Sequence, residues 1–219
     1  MTRITVIDYL GNLGSVSRAL AWLGAEVEVT DAPQRVIDAG HLILPGDGAF
    51  GYGMQQLRDK ELLEPITEFI ASGRPFLGIC VGMQLLMSES EEFGRHAGLD
   101  IVPGRVVPFH RGDFKVPHIG WSFLSPPDGG ANGHGGPHRA WDGTILADLK
   151  PGDSVYFVHS FVAAPADPAH NLAETEYGGR PFSAVIARDN VTGCQFHPEK
   201  SGPVGLRILR RFMELPTTT

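Results

Sequence analysis

The most reactive side chain in the sequence is a cysteine at a predicted bend, Cys80, in the segment Pro-Phe-Leu-Gly-Ile-Cys-Val-Gly-Met-Gln at residues 75–84. The pattern predicts a buried strand that runs directly into a helix, because Gly78 and Gly82 let the backbone turn sharply around the cysteine. A thiol at such a bend lies at a helix N-terminus, where unpaired N–H groups and the helix dipole favour the thiolate. Cys80 is therefore a candidate nucleophile, although a buried and unreactive cysteine at a tight turn fits the same pattern.

A candidate base for this thiol lies far downstream, in the segment Gly-Cys-Gln-Phe-His-Pro-Glu-Lys at residues 193–200. We expect a strand to end at His197, and Pro198 to fix the chain so that Glu199 projects near the same strand end. The carboxylate would then hold the imidazole in one tautomer and stabilise its protonated form. Because ligands of open α/β sheets bind at the carboxyl ends of the strands, Cys80, His197 and Glu199 are predicted to form a catalytic triad.

Acyl transfer from a thiolate also needs N–H donors aimed at the developing oxyanion. The segment Leu-Pro-Gly-Asp-Gly at residues 44–48 follows an apolar strand and is predicted to present the backbone N–H groups of Asp47 and Gly48 beside the bend. The N–H of Val81, which follows the nucleophile directly, would be the other donor. A plain glycine turn between a strand and a helix is the alternative interpretation of residues 44–48.

Strands and helices alternate in the first half of the chain, which is the pattern of a doubly wound α/β sheet. Apolar residues at helical spacing predict one helix from Val16 to Leu23 and another from Leu62 to Ile70. The predicted strands lie at residues 3–8, 26–30, 41–44 and 76–79. The last of these is wholly apolar, as expected for a strand that is covered on both faces.

The second half contains short β-like runs separated by turn residues, which predict extra antiparallel strands on the same sheet. These runs lie at residues 101–102, 105–109, 155–158, 184–187 and 192–196, and a final helix carries Ile208, Leu209 and Phe212. The predicted fold is therefore α/β, with a doubly wound, mostly parallel sheet, flanking helices and added antiparallel strands. Neither a repeat nor a linker divides the sequence, so we expect residues 1–219 to form one domain.

A Gly/Pro-rich segment at residues 126–140, Pro-Pro-Asp-Gly-Gly-Ala-Asn-Gly-His-Gly-Gly-Pro-His-Arg-Ala, has the composition of a loop. His134 and His138 lie in it, but no carboxylate cluster accompanies them in the sequence, and such tracts are weak metal signals. We therefore predict a surface loop insertion here and no metal site.

Composition narrows the possible functions. The net charge of −7 argues against a nucleic-acid partner, which would require a basic face. No apolar run reaches the roughly 20 residues that a membrane-spanning helix needs, and the sequence begins with a strand pattern rather than a signal peptide. Two cysteines, Cys80 and Cys194, are too few for a disulfide framework, and a bond between them would silence the nucleophile. We expect a cytoplasmic protein with no membrane partner.

The motifs around Cys80 and His197 resemble those of the class I (triad) glutamine amidotransferases. Further segments resemble one group within this family, the glutaminase subunits of imidazole glycerol phosphate synthase in histidine biosynthesis. These segments are Ile-Asp-Tyr at 7–9, Gly-Asn-Leu at 11–13, Ser-Val at 15–16, Leu-Pro-Gly at 44–46, Gly-Ala-Phe at 48–50, Lys-Val-Pro-His-Ile-Gly-Trp at 115–121, Tyr-Phe-Val-His-Ser at 156–160 and His-Pro-Glu-Lys-Ser-Gly at 197–202. The triad motifs indicate only the class, whereas the segments at 115–121 and 156–160 indicate the group.

The resemblance implies a flavodoxin-like fold and an activity for the candidate residues. Cys80 would attack the side-chain amide of L-glutamine while His197, oriented by Glu199, transfers protons, giving ammonia and glutamate through a cysteine thioester. The positions that match the family's glutamine-holding residues are Gln84, His159 and Ser160. The resemblance implies no cofactor.

The resemblance also implies a protein partner, a separate cyclase subunit of the (β/α)8 barrel type, in a heterodimer. Ammonia would pass to this subunit, which uses it to build imidazole glycerol phosphate and aminoimidazole carboxamide ribonucleotide. The positions that match the subunit contact are Asn12, Trp121, Tyr156 and Lys200. Asn12 is equally well explained by a helix-capping turn before Val16.

The chain departs from the family pattern at Asp47, where an apolar valine is usual. An inward carboxylate would oppose both the thiolate and the oxyanion, by about 1–3 kcal/mol in a partly desolvated site. Because adjacent side chains of an extended segment point in opposite directions, we expect the carboxylate to face solvent. The segment at residues 126–140 is also longer than is usual in the family.

Three other functions fit parts of this pattern. A related amidotransferase subunit would serve another ammonia acceptor, and a catalytically silent interaction subunit would result if Asp47 disabled the oxyanion site. A cysteine hydrolase of a different type shares the bend around Cys80, but that function leaves His197 and Glu199 unexplained.

Overall fold

The computed structural model of the protein describes residues 1–11, 13–109, 114–127 and 141–217. Asn12, His134 and His138 lie outside these residues, as does most of the predicted loop insertion at 126–140. No helix in the described part of the chain is long and apolar enough to cross a membrane.

The first half of the chain alternates strands with helices, as predicted. In chain order it contains β1 (Arg3–Ile7), α1 (Gly14–Trp22), β2 (Glu26–Thr30), α2 (Pro33–Ile37), β3 (His41–Leu44), α3 (Phe50–Asp59), α4 (Leu63–Ala71), β4 (Phe76–Ile79) and α5 (Val81–Gln84). The bounds of β1 to β4 agree with the prediction to within one residue. The sequence pattern does not predict α2 and α3.

The second half consists mostly of strands. It contains β5 (Met87–Ser90), β6 (His96–Ala97), β7 (Val102–Pro108), β8 (His118–Phe123), β9 (Ser154–His159), β10 (Phe161–Pro165), β11 (Asn171–Tyr177), β12 (Arg180–Arg188), β13 (Val191–Cys194) and α6 (Gly202–Glu214). Single-turn 3-10 helices lie at Pro168–His170 and Pro198–Lys200.

The described strands form three sheets rather than one. The central sheet has the order β11-β12-β13-β4-β3-β1-β2, with parallel pairing from β13 to β2 and antiparallel pairing of β11 and β12. A second sheet has the order β10-β7-β5-β6, and β8 pairs with β9 in a third.

The mostly parallel central sheet is confirmed, but the prediction that all later strands join it is wrong. The runs at residues 105–109 and 155–158 belong to the second and third sheets, and the run at 192–196 is β13, which pairs in parallel with β4. The physical reason is visible in the burial of β8, where exposed residues alternate with buried or half-buried ones. Such a strand can cover only one face, whereas β3 and β4 are buried at every position.

Large aromatic side chains fill the core around the central sheet. The fully buried phenylalanines are Phe50, Phe69, Phe76, Phe157, Phe196 and Phe212. Helix α2 contacts α4, and α1 contacts α6. Each fully buried side chain of this kind contributes about 1.5–3 kcal/mol to the stability of the fold, so the sheet edge is held by a well-packed interior.

The register of the parallel strands places the candidate residues at one edge of the sheet. Leu44 of β3 pairs with Gly78 of β4, and Ile79 pairs with Cys194 of β13. These three neighbouring strands therefore end at the same level of the sheet, and each is followed directly by one of the segments that carry candidate functional residues.

Three glycines allow the segment after β3 to lie against the turn after β4. A Cβ atom at Gly82 would overlap the carbonyl oxygen of Leu44, and one at Gly46 would overlap the backbone nitrogen of Gly82. A Cβ at Gly78 would lie 2.7 Å from the Gly82 oxygen. This backbone-to-backbone contact can form only because no side chain intervenes.

The substitution Gly82→Ala tests this constraint. Alanine is favoured over glycine inside a helix, but here its methyl group would meet the Leu44 oxygen, so we expect the free energy of unfolding to fall by about 2–4 kcal/mol. Urea denaturation monitored by circular dichroism measures the change. Gly40→Ala is the matched control, because its Cβ would lie 3.7 Å from its nearest neighbour; a stability loss no larger than that of the control would contradict the prediction.

Candidate active site

Cys80 occupies a strained bend between β4 and α5. Its φ of 54° and ψ of −113° lie in a region that non-glycine residues rarely adopt. The bend is held from both sides: the Cys80 N–H donates to the carbonyl of Cys194 at 2.7 Å, and the Cys80 carbonyl accepts from Met83 and Gln84 at 3.0 and 3.1 Å. The side chain is 5% exposed. The bend at Cys80, called the elbow below, therefore presents a thiol that is largely desolvated, as the sequence pattern predicts.

His197 is held at the neighbouring strand end by β9. Its N–H donates to the carbonyl of Tyr156 at 3.1 Å. The Ser201 hydroxyl accepts from the Tyr156 N–H at 3.0 Å and donates to the His197 carbonyl at 2.7 Å. These three hydrogen bonds fix the backbone on each side of the imidazole, so the ring position depends on the third sheet as well as on β13.

The imidazole of His197 joins a carboxylate to the thiol. Its Nδ1 lies 2.8 Å from Glu199 Oε1, and the Cys80 side chain is near enough to affect the pKa of the ring. Because a carboxylate only accepts, Nδ1 carries a hydrogen and Nε2 is left for the thiol. Burial would lower the pKa of His197, but the hydrogen bonds and negative charges of Cys80 and Glu199 raise it to about 9. The imidazolium form is therefore favoured at neutral pH.

The predicted oxyanion segment lies beside these residues. A small cavity of about 30 Å³ is lined by Pro45, Gly46 and Asp47 on one side and by His197 and Glu199 on the other. Val81, the first residue of α5, has no acceptor for its N–H within the helix, as at any helix start. Asp47 is exposed, and its carboxylate accepts from the Gly48 N–H at 2.8 Å. One of the proposed N–H donors is thus already bound to a side chain.

Comparison with known protein families matches the chain to "Glutamine amidotransferase class-I" over residues 5–215. The chain belongs to this family.

Curated relatives in the family extend over the same length. A protein of Legionella pneumophila named imidazole glycerol phosphate synthase subunit HisH is 46% identical, with 98% of this chain and all of that protein covered. A subunit of the same name from Syntrophotalea carbinolica is also 46% identical, over 97% of this chain and all of the relative. The resemblance noted from the motifs is confirmed at the level of the whole chain.

Solved structures of amidotransferases share the fold at low sequence identity. A crystal structure described as a glutamine amidotransferase superposes with a TM-score of 0.71 at 18% identity, covering 96% of this chain and 97% of that one. PurLQS from Thermotoga maritima gives a TM-score of 0.71 at 19% identity, covering 96% of each chain. These likenesses confirm the predicted fold class of this glutamine amidotransferase.

The residues predicted to hold glutamine are turned partly toward the protein interior. Both N–H groups of the Gln84 side chain are engaged, by the carbonyl of Phe161 and by Gln195 Oε1, each at 3.0 Å. The carbonyl oxygen of the Gln84 side chain remains as its possible acceptor for a ligand. Ser160 is half-buried, and its carbonyl accepts from the Phe109 N–H at 3.1 Å.

The ring of His159 is part of an internal polar chain. Its Nδ1 lies 2.9 Å from the Phe161 carbonyl, and its Nε2 lies 3.2 Å from Nδ1 of His118. Burial lowers the pKa of His159 to about 3 and that of His118 to about 4, so both rings are neutral near pH 7. Each nitrogen of His159 already has a partner, which leaves its backbone, rather than its ring, to line a glutamine site.

Of the residues predicted at the partner contact, Trp121 and Lys200 are exposed and Tyr156 is half-buried, whereas Asn12 is outside the described residues. Trp121 of β8 is 55% exposed and its ring makes an edge contact with Tyr156 of β9, with centroids 5.9 Å apart. Lys200 is exposed in the 3-10 turn after His197. Sequence reasoning missed Ile119 and Phe123, which are exposed on the same face of β8 as Trp121; the two-residue alternation of a strand is the signal that could have found them.

Other contacts of the nucleophile were also beyond the sequence prediction. Gln195 Nε2 lies 3.8 Å from the Cys80 sulfur, and the Val158 carbonyl lies 4.0 Å from it. Tyr9 is buried near the site, and burial, followed by the charges of Cys80 and Asp47, raises the pKa of its hydroxyl. Gln195 precedes His197 by two residues, so strand alternation alone would have placed it on the same face.

The second cysteine does not form a disulfide with the first. Both are free, and Cys194 is fully buried, which raises the pKa of its thiol well above the ordinary range. Cys194 is therefore an inert core residue, and Cys80 keeps its thiol. Among the described residues there is also no group of three or more His, Cys, Asp or Glu side chains that could hold a metal ion.

The raised pKa of His197 links the stability of the fold to pH. The protonated form of His197 stabilises the fold, because its pKa of about 9 in the folded protein lies above the ordinary 6.5. This stabilisation is complete below about pH 6.5 and is lost as the pH rises through about 9. Glu199→Gln removes one cause of the shift. We therefore expect its free energy of unfolding to fall less between pH 6.5 and about pH 9.5 than that of the wild type, as measured by urea denaturation at the two pH values.

Glu214→Gln provides the control for this experiment. Glu214 is an exposed carboxylate that pairs with Arg211 at 3.3 Å, so its removal should leave the alkaline loss of stability at the wild-type value. A Glu199→Gln protein with the same alkaline loss as the control would show that Glu199 does not govern the charge of His197.

The hydrogen bond between Asp47 and Gly48 predicts an effect on basal activity. Asp47→Val releases the Gly48 N–H, and we expect glutamate release by the isolated chain to rise about tenfold, the worth of one hydrogen bond to a charged group. Asp47→Asn keeps an oxygen that can accept from Gly48 but removes the charge. Because Asp47 is exposed and its charge is screened, the Asn variant should stay near the wild-type rate. Equal rates for the Val variant and the wild type would contradict the prediction.

Proposed function

We propose that this amidotransferase is the glutaminase subunit of imidazole glycerol phosphate synthase in histidine biosynthesis. It hydrolyses L-glutamine to glutamate and supplies the ammonia to a synthase partner. The observation that carries the proposal is a buried Cys80 in a strained bend after β4, with the His197–Glu199 pair, 2.8 Å apart, following the adjacent strand β13. The chain is also 46% identical to proteins named as a subunit of this synthase. This identity supports the synthase as the acceptor of the ammonia.

The first half of the reaction is acyl transfer to the thiol. The Cys80 thiolate attacks the side-chain carbonyl carbon of glutamine, and a C–S bond forms as the carbonyl oxygen becomes an oxyanion. In the proposed mechanism, the N–H of Val81 and an N–H of the segment at residues 46–48 stabilise that charge. The imidazolium of His197 then gives its proton to the amide nitrogen, the C–N bond breaks and ammonia leaves.

The second half releases glutamate. Neutral His197 takes a proton from a water molecule, which attacks the γ-glutamyl thioester. The C–S bond breaks, the thiolate is regenerated, and the imidazolium is restored for the next cycle. Glu199 keeps its hydrogen bond to Nδ1 throughout, so the same nitrogen of His197 faces the reacting atoms in both halves.

The proposed partner is a cyclase subunit with a (β/α)8 barrel, bound as a heterodimer. It would use the ammonia to form imidazole glycerol phosphate and aminoimidazole carboxamide ribonucleotide. The exposed residues Ile119, Trp121 and Phe123 on β8 form an apolar patch of the kind that marks a protein contact. With Tyr156 and Lys200 beside it, this patch is the surface that we assign to the cyclase.

The remaining parts of the proposal follow from the chain as a whole. We treat residues 1–219 as one glutaminase domain, with 126–140 as a surface loop insertion, because the family match extends over residues 5–215. A cytoplasmic location is consistent with two unpaired cysteines, one of them the nucleophile. The net charge of −7 supports a protein partner rather than a nucleic acid.

Glutamate release by the purified chain, with and without the cyclase subunit, tests the function. We expect turnover that rises on addition of the cyclase and falls by at least about 10⁴-fold in Cys80→Ala, because the nucleophile is lost. Cys194→Ala is the matched control; its thiol is fully buried and takes no part in the proposed mechanism, so activity should persist. Turnover unaffected by Cys80→Ala would refute the proposed mechanism.

The same assay separates the alternatives. Release of glutamate without stimulation by the cyclase would favour a subunit for another ammonia acceptor. Complex formation without turnover under any condition would favour a silent interaction subunit, for which the engaged Gly48 N–H offers a physical cause.

A further inference from the structure

Gln195 is a fully buried polar residue at the base of the catalytic elbow. It follows the last residue of β13, and its N–H donates to the carbonyl of Ala184 at 2.9 Å, which holds its backbone on β12. Its side chain points toward Cys80 rather than toward solvent, with Nε2 3.8 Å from the sulfur. A buried amide is retained at such a position only if its polar atoms are used.

The orientation of the Gln195 amide is determined by one backbone carbonyl. The Phe161 carbonyl can only accept, so the Gln84 atom 3.0 Å from it must be the nitrogen. The other hydrogen of that nitrogen points to the Gln195 side chain at 3.0 Å, which must therefore present its oxygen. The nitrogen of Gln195 is left facing the Cys80 sulfur as a donor.

The Phe161 carbonyl is itself held in place from the other side. His159 Nδ1 lies 2.9 Å from it and, since the oxygen only accepts, carries the hydrogen. His159 Nε2 must then accept from His118 Nδ1 at 3.2 Å, and His118 Nε2 accepts from the Ser122 hydroxyl at 3.1 Å. Each donor in this chain has a single consistent direction, so the amide of Gln195 has no alternative pairing available in the described structure.

We propose that Gln195 is a further catalytic residue, whose side-chain N–H donates a hydrogen bond to the sulfur of Cys80 and stabilises the thiolate. The protonated thiol has a different partner, the Val158 carbonyl, to which S–H can donate at 4.0 Å. The Gln195 donor is therefore of use mainly when the proton has left the sulfur. In the proposed mechanism it acts together with His197, whose pKa is raised by the same cysteine.

The same donor serves the later steps. When the thioester breaks, negative charge returns to the sulfur, and the Gln195 N–H is already in place to receive it. Through its nitrogen the residue touches the reacting sulfur, and through its oxygen it touches Gln84, one of the predicted glutamine-holding residues. Loss of the donor to the sulfur should lower kcat about tenfold. This part of the inference rests on the proposed glutaminase function.

The test is the pH dependence of Cys80 alkylation by iodoacetamide in the purified chain, followed by mass spectrometry. Gln195→Met removes the donor at similar length, and we expect the profile to move to higher pH by about one unit. Gln195→Glu keeps an oxygen that can accept from Gln84 but places a carboxylate beside the sulfur, so its shift should be larger. At high pH, where the thiol is ionised in every variant, the rates should converge on the wild-type rate.

Control variants show whether a shift of the alkylation profile is specific to Gln195 and whether the labelled residue is Cys80. Gln55 is an exposed glutamine on α3, and Gln55→Met and Gln55→Glu should leave the profile in its wild-type position. Cys80→Ala should abolish labelling, because the buried Cys194 is not reached. If Gln195→Met lowers the high-pH rate through misfolding, Gln195→Glu, which retains the bond to Gln84, decides the question.

An unshifted profile in Gln195→Glu would overturn the proposal. The alkylation consumes no glutamine and needs no partner, so it gives an answer even if the chain is not a glutaminase. Failure of the function would instead appear as absence of glutamate release by the wild-type chain with its cyclase. The two failures are therefore separate observations.

Discussion

The close contact between two stretches of backbone, one after β3 and one after β4, is the constraint on which the site depends. It requires hydrogen in place of a side chain at Gly46, Gly78 and Gly82. It also brings the oxyanion segment within reach of a thiol that sits in a strained conformation. A strained residue persists only where its surroundings over-determine it, and here the hydrogen bond from the Cys80 N–H to the Cys194 carbonyl supplies part of that restraint.

A second constraint is the need to satisfy buried polar groups behind the elbow. Two glutamine amides and two imidazoles lie in the interior, and the Phe161 carbonyl accepts from a member of each pair. Because an unpaired buried donor is unfavourable by about 1–3 kcal/mol, such a network holds its members in one arrangement. The low pKa of His159 fits this picture, since a proton on its Nε2 would face the N–H of His118 Nδ1, 3.2 Å away. The nucleophile is thus supported by a rigid polar layer that extends to β8.

Prediction and structure agree best for elements whose own residue pattern favours the conformation that they adopt in the fold. The strands at Glu26–Thr30, His41–Leu44 and Phe76–Ile79 are short, apolar or alternating, and bounded by turn residues, so they could be found without tertiary information. Helix α3 (Phe50–Asp59) could not, because Gly51 and Gly53 weaken its propensity. It is stabilised by distant residues: Glu92 accepts from the Phe50 N–H at 2.6 Å, and Gly53 packs against Leu85 and Tyr9.

The sequence alone determined which residues could do chemistry and in which family they occur, because a thiol between glycines and a His-Pro-Glu turn carry that information in a few adjacent positions. The tertiary structure alone decided how those residues are connected. Gln195 reaches the sulfur only because β13 pairs with β4, and Asp47 turns back to the Gly48 N–H through a side-chain torsion that no spacing records. Hydrogen-bond partners far apart in the chain are selected by packing and by the pairing of buried donors with acceptors, and neither has a signature in linear order.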